Sequence, residues 1–540
     1  MKKTIMTACL TVFGAACFSA PFTVNRIFAN NMVLQREKEI PVWGTAAPGT
    51  EITVSFKGTK QTVKTGEDGK WLAKLPAQKA ESKPQNLIVR SGKNMKAFSN
   101  VLVGEVWMFF GQSHIELSYG GKLRELNGAD KRVMASETRT NLINTIKGFV
   151  SNVPADPQLR CGRIWLTGSV YWYPCGKQFI KNFGVVSYNM GKALRKELNV
   201  PVAILNIARG CSSIESWIPA EYYDHPVLAE EKQYLDEFVK FYNDKTAKRL
   251  TQEQEDEYFT KYCKTPKRKM RGNLKGGKVR PGARSWVWQH MRAVMPTGCV
   301  LSAARYANPF PVRGMIWWQG DTNYYDPDGH YLQKFPILME AYRKNWNDPD
   351  MNFVMVLQGQ SKNYKGLYSK FRLQQFAAAE TLDKLLLVNN VMTPPAEAKM
   401  VHPYGEKVQV GKETAKLVLK HFYGRAETMG SGPLFDTAVF KAGKATVTFR
   451  FGKGLKTSDG KAPVGFELAG KDKVYHPAQA EISGEGVVLS SAKVPAPEYA
   501  RFMWEDVDNV SNLVNAEDLT AFPFDTQYEF FQKKNKINAK

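Results

Sequence analysis

The chain has 540 residues, 43% of them hydrophobic, 12% aromatic and 23% charged. That length and balance describe a globular protein of two to four domains and exclude a mainly disordered or fibrous chain. Lysine and arginine total 75 against 51 acidic residues, a net charge of +24, which favours an anionic partner without naming one.

In chain order, the first element reads as a secretory signal. Met1-Lys2-Lys3 is a short cationic start, Thr4 to Phe18 is mostly apolar and small, and Ser19-Ala20 comes next. Residues 1–20 are expected to be removed near Ala20, giving a periplasmic or secreted protein. Cys17, after Gly14-Ala15-Ala16, is the alternative, an acylation site for an outer-membrane lipoprotein. The apolar run is short for a membrane span, and no later stretch approaches about 18 uncharged apolar residues, so no transmembrane segment is expected. Beyond the signal stand Cys161, Cys175, Cys211, Cys263 and Cys299. This odd, sparse set is not a disulfide framework. One bridge, Cys161 to Cys175, is compatible with an oxidising compartment. No C-x-x-C pair or His/Cys cluster has zinc spacing, so neither metal nor cofactor is expected.

Residues 21–103 read as an N-terminal β-sandwich. Short alternations such as Ile52-Thr53-Val54-Ser55-Phe56 and Trp71-Leu72-Ala73 are separated by turn clusters such as Ala47-Pro48-Gly49. From 104 to 430 the period changes to strand–helix–strand. Val101 to Met108, Val202 to Ile207, Met315 to Trp318, Phe353 to Leu357 and Leu385 to Val391 are buried-type strands. Val186, Met190, Leu194 and Leu198 mark one helix face, and further helices are expected over 331–346, 371–382 and 406–421. The fold class is therefore α/β, a parallel sheet with helices on both faces. An excursion over about 218–300 is helical and charged, and contains a basic segment, residues 264–284, with nine cations and no acid. Nucleic acid is disfavoured there because no aromatic side chains interleave the cations. Residues 431–540 return to β, as in Ala445-Thr446-Val447-Thr448-Phe449.

Ligand sites in such sheets lie beyond the carboxyl ends of the strands. The residues there are Gly111-Gln112-Ser113-His114, Arg209-Gly210-Cys211-Ser212, Gln319-Gly320-Asp321-Thr322-Asn323 and, last, His402-Pro403. A Ser, a Gly, an Asn and a His in that order supply a nucleophile, a backbone donor, an amide donor and a base, the parts of a serine hydrolase. No G-x-S-x-G elbow, Walker loop or strand-linked G-x-G-x-x-G occurs.

These blocks also carry a resemblance. Asn31-Met32-Val33-Leu34-Gln35-Arg36 with Pro41-Val42-Trp43-Gly44, Val103-Gly104-Glu105-Val106-Trp107 leading to Gly111-Gln112-Ser113, Pro201 to Gly210 closing with Ile214-Glu215-Ser216-Trp217, Ile316 to Asn323, and His402-Pro403 with Val410-Gly411 resemble the sialate O-acetylesterase family of the SGNH hydrolase superfamily. Gly465 to Gly470 and Asn512 to Asn515 extend the likeness to the C-terminal β region. The resemblance implies an SGNH-like catalytic domain between two β-rich, sandwich-like domains. It implies Ser113 as nucleophile and His402 as general base, then acid. It implies Ser113 N–H, Gly210 N–H and the Asn323 amide as oxyanion donors, with Gln112 and Gln319 as lining residues.

The chain departs from the family at three places. His114 comes directly after the nucleophile where the family has Asn. The second block reads Gly210-Cys211-Ser212. Lys399 and Met400 stand where the family carries Asp before its catalytic His, so His402 is left to a backbone carbonyl or to Glu397. The expected activity is deacetylation of an acetylated sugar, acetylated sialic acid (9-O-acetyl type) first. Acetyl xylan or another polysaccharide is the alternative, and a catalytically inactive glycan-binding homologue the third reading.

Overall fold

The computed structural model describes residues 21–132, 134–165, 168–264, 273–275, 278–323, 330–359, 367–391, 397, 402–504 and 511–532. The signal segment with Cys17 and Ala20, the pair Lys399 and Met400, and residues 265–272 and 276–277 of the basic segment lie outside them.

A mixed α/β body has one large central sheet and further β-rich sheets at both ends. The central strands are β1 (Asn94–Gly111), β2 (Asp156–Ile164), β3 (Val170–Cys175), β4 (Val202–Asn206), β5 (Gly314–Trp318), β6 (Asn352–Val356) and β7 (Leu385–Val388). Their order is β3-β2-β4-β1-β5-β6-β7, parallel except for β3 at the edge. The apolar runs form strands buried on both faces, and alternate residues serve different cores. Met108, Phe110, Leu205, Met315 and Trp317 enter one core. Trp107, Phe109, Ile204, Ile316 and Trp318 enter the other, as the two-residue period of a strand requires.

The helices that matter for the site are α1 (Ser113–Glu116), α2 (Tyr119–Asn127), α3 (Val185–Leu198), α4 (Arg284–Val294), α5 (His330–Asn345), α6 (Leu367–Thr381) and α7 (Tyr404–Tyr423). α3 and α7 bury Met190, Leu194, Val410 and Val418 on one face of the sheet. α5 and α6 bury Phe335, Leu338, Phe371 and Phe376 on the other. Asn199 and Gly424 end α3 and α7 in the left-handed conformation, which Asn and Gly adopt most readily.

Residues 21–93 form a separate three-stranded sheet, Thr23–Val24, Ile40–Thr45 and Lys70–Leu75, and further strands that join the large sheet through β1. Lys70–Leu75 buries every second side chain, and so does Glu51–Phe56. The 103/104 boundary read from composition falls inside β1. That strand pairs with Glu81–Ser91 in its first half and with β4 and β5 in its second. The N-terminal β region and the central sheet thus share one 18-residue strand. Strands Leu434–Lys441 to Phe524–Asp525 build two four-stranded sheets and one two-stranded sheet at the C-terminal end.

The excursion lies between β4 and β5. Helices Leu235–Thr246, Gln252–Lys264 and α4 enclose a core of their own, including Phe238, Phe241, Phe259 and Met291. Arg284, the last cation of the basic segment, is paired with Glu255 at 2.7 Å and Asp256 at 3.3 Å. The Cys161–Cys175 bridge that the sequence allowed is not formed: both thiols are free and buried. β2 and β3 place Cys161 opposite Tyr173 and Cys175 opposite Asp156, so the two cysteines are not cross-strand partners. Among the described residues no helix is long and apolar enough to cross a membrane.

Candidate active site

β1 has β4 on one side and β5 on the other, so the sheet order reverses around it. A crevice opens at the carboxyl ends of such neighbours. The first three strand-end blocks stand directly after these three strands. Gly111 ends β1 at φ +124°, and a Cβ there would lie 2.2 Å from the Trp318 carbonyl oxygen of β5. Only glycine allows this close approach. Two residues later Ser113 opens α1, half-buried, with its Cβ 3.5 Å from the position a Cβ on Gly210 would take. Ser113 and Gly210 are therefore adjacent.

His402 stands at the entry to α7 and is buried. Its Nδ1 lies 2.7 Å from Glu125 Oε1, while its Nε2 is buried without a hydrogen-bond partner. Glu125 comes from α2, 277 residues away in sequence. Ser118 caps α2 by accepting the Gly121 N–H, and Lys122 shares the inward face with Glu125 one turn later. Lys122 Nζ donates to the His402 carbonyl at 2.6 Å and to Asp130 at 2.7 Å. Burial alone would raise the Glu125 carboxyl, but His402 and then Lys122 hold it below the ordinary carboxylate value. Glu397, the nearest acid before His402 in sequence, is placed elsewhere. It accepts the backbone N–H groups of Tyr404 and Gly405 at the start of α7. The acid that orients the imidazole is therefore Glu125.

His114 stacks on Trp318 with centroids 4.9 Å apart and meets the His402 ring edge-on at 5.2 Å. Its Nε2 is 2.8 Å from Asp321 Oδ2, and Lys407 Nζ is 2.9 Å from its Nδ1. Lysine only donates, so Nδ1 accepts and the proton belongs on Nε2. Burial, and then the Lys407 amino group, depress the His114 pKa. His114 is thus a neutral ring with both nitrogens engaged, not a competing base for Ser113.

The remaining candidates are held by protein partners. Gln112 accepts the Gly320 N–H at 2.8 Å and donates to Asp321 at 2.5 Å. Gln319 donates to the Ser212 carbonyl at 3.0 Å and to Asn323 Oδ1 at 2.7 Å. Both glutamines are buried. Asn323 Oδ1 also accepts the Ile214 N–H, and its Nδ2 contacts Glu215 at 3.1 and 3.3 Å. Two contacts to one carboxylate need only one of the two amide hydrogens. Glu215 is paired with buried Lys334 at 2.7 Å. The Gly210 N–H donates to Glu116 Oε2 at 2.7 Å. Arg163 and Arg209 approach the other Glu116 oxygen at 3.6 and 3.9 Å. Among the described residues no cluster of three or more His, Cys, Asp or Glu side chains could hold a metal ion.

The residues missed in the sequence are Glu125, Glu116, Glu215 and Lys407. The Ser113-x-x-Glu116 spacing was visible, but nothing in it distinguishes a site carboxylate from an ordinary helical one.

No protein-family model matches the chain. Human sialate O-acetylesterase is 21% identical over 336 residues, 59% of this chain and 52% of the relative. The chain thus spans about half the length of that curated relative. The crystal structure of a carbohydrate acetylesterase from Xanthomonas citri superposes with a TM-score of 0.70 at 25% identity, covering 93% of this chain and 99% of the other. The chain is similar in sequence to sialate O-acetylesterase and in sequence and fold to a carbohydrate acetylesterase, as its motif blocks imply.

Proposed function

We propose that this chain is a carbohydrate O-acetylesterase of SGNH type, with Ser113, His402 and Glu125 as its catalytic triad. The observation that carries the proposal is the state of His402. A carboxylate holds Nδ1, and Nε2 is buried and unpartnered at the sheet end where Ser113 sits. An imidazole held in this way can accept a proton at Nε2 and be stabilised as imidazolium.

In this reading Ser113 Oγ attacks the acetyl carbonyl carbon as His402 Nε2 takes its proton. The tetrahedral oxyanion collapses, the sugar oxygen leaves and takes that proton, and acetyl-Ser113 remains. Water, deprotonated by His402, then attacks the acetyl carbon and releases acetate and free Ser113. The oxyanion donors are the Ser113 N–H, the Gly210 N–H and the second Asn323 amide hydrogen. Glu116 has to release the Gly210 N–H to the acyl oxygen. Gln112 and Gln319 act by fixing Asp321 and Asn323. The enzyme acts outside the cytoplasm.

The motif resemblance and the name of the human relative support acetylated sialic acid as substrate. One observation favours acetylated neutral polysaccharides such as acetyl xylan. Arg163 and Arg209, the cations beside Gly210, both face Glu116, which balances part of their charge. Acetate release from O-acetylated sialoglycan and from acetyl xylan separates the two. Release from either that survives Ser113→Ala unchanged would remove Ser113 as nucleophile. Glycan affinity with no turnover of any acetyl ester would favour an inactive binding protein.

A further inference from the structure

Large apolar side chains are exposed at few described positions, and most stand singly in the β-rich ends, as Leu72, Met95, Val439, Val464 and Val474 do. Single exposures need no explanation. The edge hairpin of the catalytic sheet is different. Trp165, just past the end of β2, is 39% exposed, and Tyr171 on β3 is 50% exposed. β2 and β3 pair Tyr171 with Arg163 and Tyr173 with Cys161. Directly opposed residues of an antiparallel pair share a face, and so do residues two apart on one strand. Trp165, Arg163, Tyr171 and Tyr173 therefore stand on one face of the hairpin. The strip rises from the core, where Tyr173 packs at 5.7 Å from Phe179, to solvent at Trp165.

The strip is ordered by contacts. Tyr171 stacks on Tyr173 with centroids 6.0 Å apart and planes at 20°. The Arg163 guanidinium lies over the Trp165 indole at 4.0 Å. The Trp165 backbone N–H donates to the Ser169 carbonyl at 2.9 Å. The strip is also continuous with the active site. Arg163 approaches Glu116, three residues after Ser113, and the other oxygen of Glu116 holds the Gly210 N–H. An aromatic surface thus begins one side chain away from the nucleophile's neighbour.

We propose that Trp165 and Tyr171 form a sugar-binding platform, taking neutral pyranose rings of the glycan chain that carries the acetyl ester. A pyranose presents an apolar C–H face with hydroxyls at its rim, which matches an exposed aromatic ring bordered by polar groups. Arg163 stacks on the indole and faces Glu116 at 3.6 Å, so its charge is partly balanced within the platform, which favours neutral over acidic sugars. The proposal rests on Ser113 as nucleophile for its placement, while its test reads binding separately.

The test uses the full chain and three probes, xylohexaose, cellohexaose and 3′-sialyllactose, with binding followed by calorimetry. The parent is expected to bind a neutral hexasaccharide more tightly than sialyllactose. Trp165→Ala weakens that binding about tenfold or more, the loss typical of a buried aromatic anchor. Tyr171→Ala weakens it less, and Trp165→Phe retains most of it. Hydrolysis of ethyl acetate, an ester too small to reach the platform, keeps its kcat/KM in Trp165→Ala. The proposal is overturned if the parent binds neither hexasaccharide, if Trp165→Ala binds as the parent does, or if sialyllactose binds best. A parallel loss of ethyl acetate hydrolysis in Trp165→Ala would make Trp165 structural and equally overturn it. A parent that binds the hexasaccharides but hydrolyses no ester would sink the triad and leave the platform standing.

Discussion

Replacing Glu125 by Gln probes the least expected member of the site. The substitution keeps the side-chain shape and removes the charge that faces His402 Nδ1 at 2.7 Å. When His402 takes the Ser113 proton, a positive ring forms about 4 Å from the centre of that carboxylate. At an effective dielectric of about 20, the attraction is ~4 kcal/mol, or about three decades in rate. Removing the equivalent acid in the serine-protease triad costs about 10⁴. Glu125→Gln should therefore lower kcat for acetate release by about 10³–10⁴-fold. The fold should survive, because Lys122 keeps Asp130 and the His402 carbonyl as partners. The assay is acetate release by coupled enzyme or pH-stat, with thermal melting as control. A Glu125→Gln protein that melts like the parent and stays within about tenfold of its kcat would refute the reasoning.

Three other substitutions have definite expected outcomes. Asn323→Ala should lower kcat by about 10²–10³-fold with little change in KM, the loss of one oxyanion donor; an unchanged kcat would exclude the amide from the hole. Lys334→Met leaves Glu215 buried with no lysine partner, and should lower the urea-unfolding free energy by about 3–5 kcal/mol. Burial raises the Glu413 carboxyl to about 7 from an ordinary 4.5. Its proton is held more tightly in the folded state, so its stabilising effect is complete below about 4.5 and lost as pH rises through about 7. The loss is on the order of 3 kcal/mol. Glu413→Gln should flatten the fall in urea midpoint between about pH 5 and about pH 8, and parallel profiles for parent and variant would dismiss the assignment.

The central sheet was legible because its strands are apolar runs with two-sided burial, and a parallel sheet gathers its post-strand loops at one end. Ser113, Gly210 and Asn323 stand just past three adjacent strands, β1, β4 and β5, for that reason. Glu125 was not legible. It sits on a short polar helix between β1 and β2, where a Glu one turn from Lys122 resembles any solvated helical pair. Only tertiary packing carries it to His402. The boundary expected at 103/104 falls inside β1. Composition changes in the middle of β1, where a strand shared by two sheets passes from a half-exposed to a fully buried setting. The three departures from the family pattern gain physical accounts in two cases. His114 is tied on both ring nitrogens, and an acid from α2 serves His402 in place of one just before it.

The central claim is that Ser113 is the nucleophile activated by His402. Labelling with a fluorophosphonate, then mass spectrometry of the peptide spanning Gly111 to Glu116, tests it most directly. The account predicts one label, on Ser113, formed in step with loss of esterase activity and strongly slowed in His402→Ala. A label on another residue, or full inactivation with Ser113 unmodified, would contradict it.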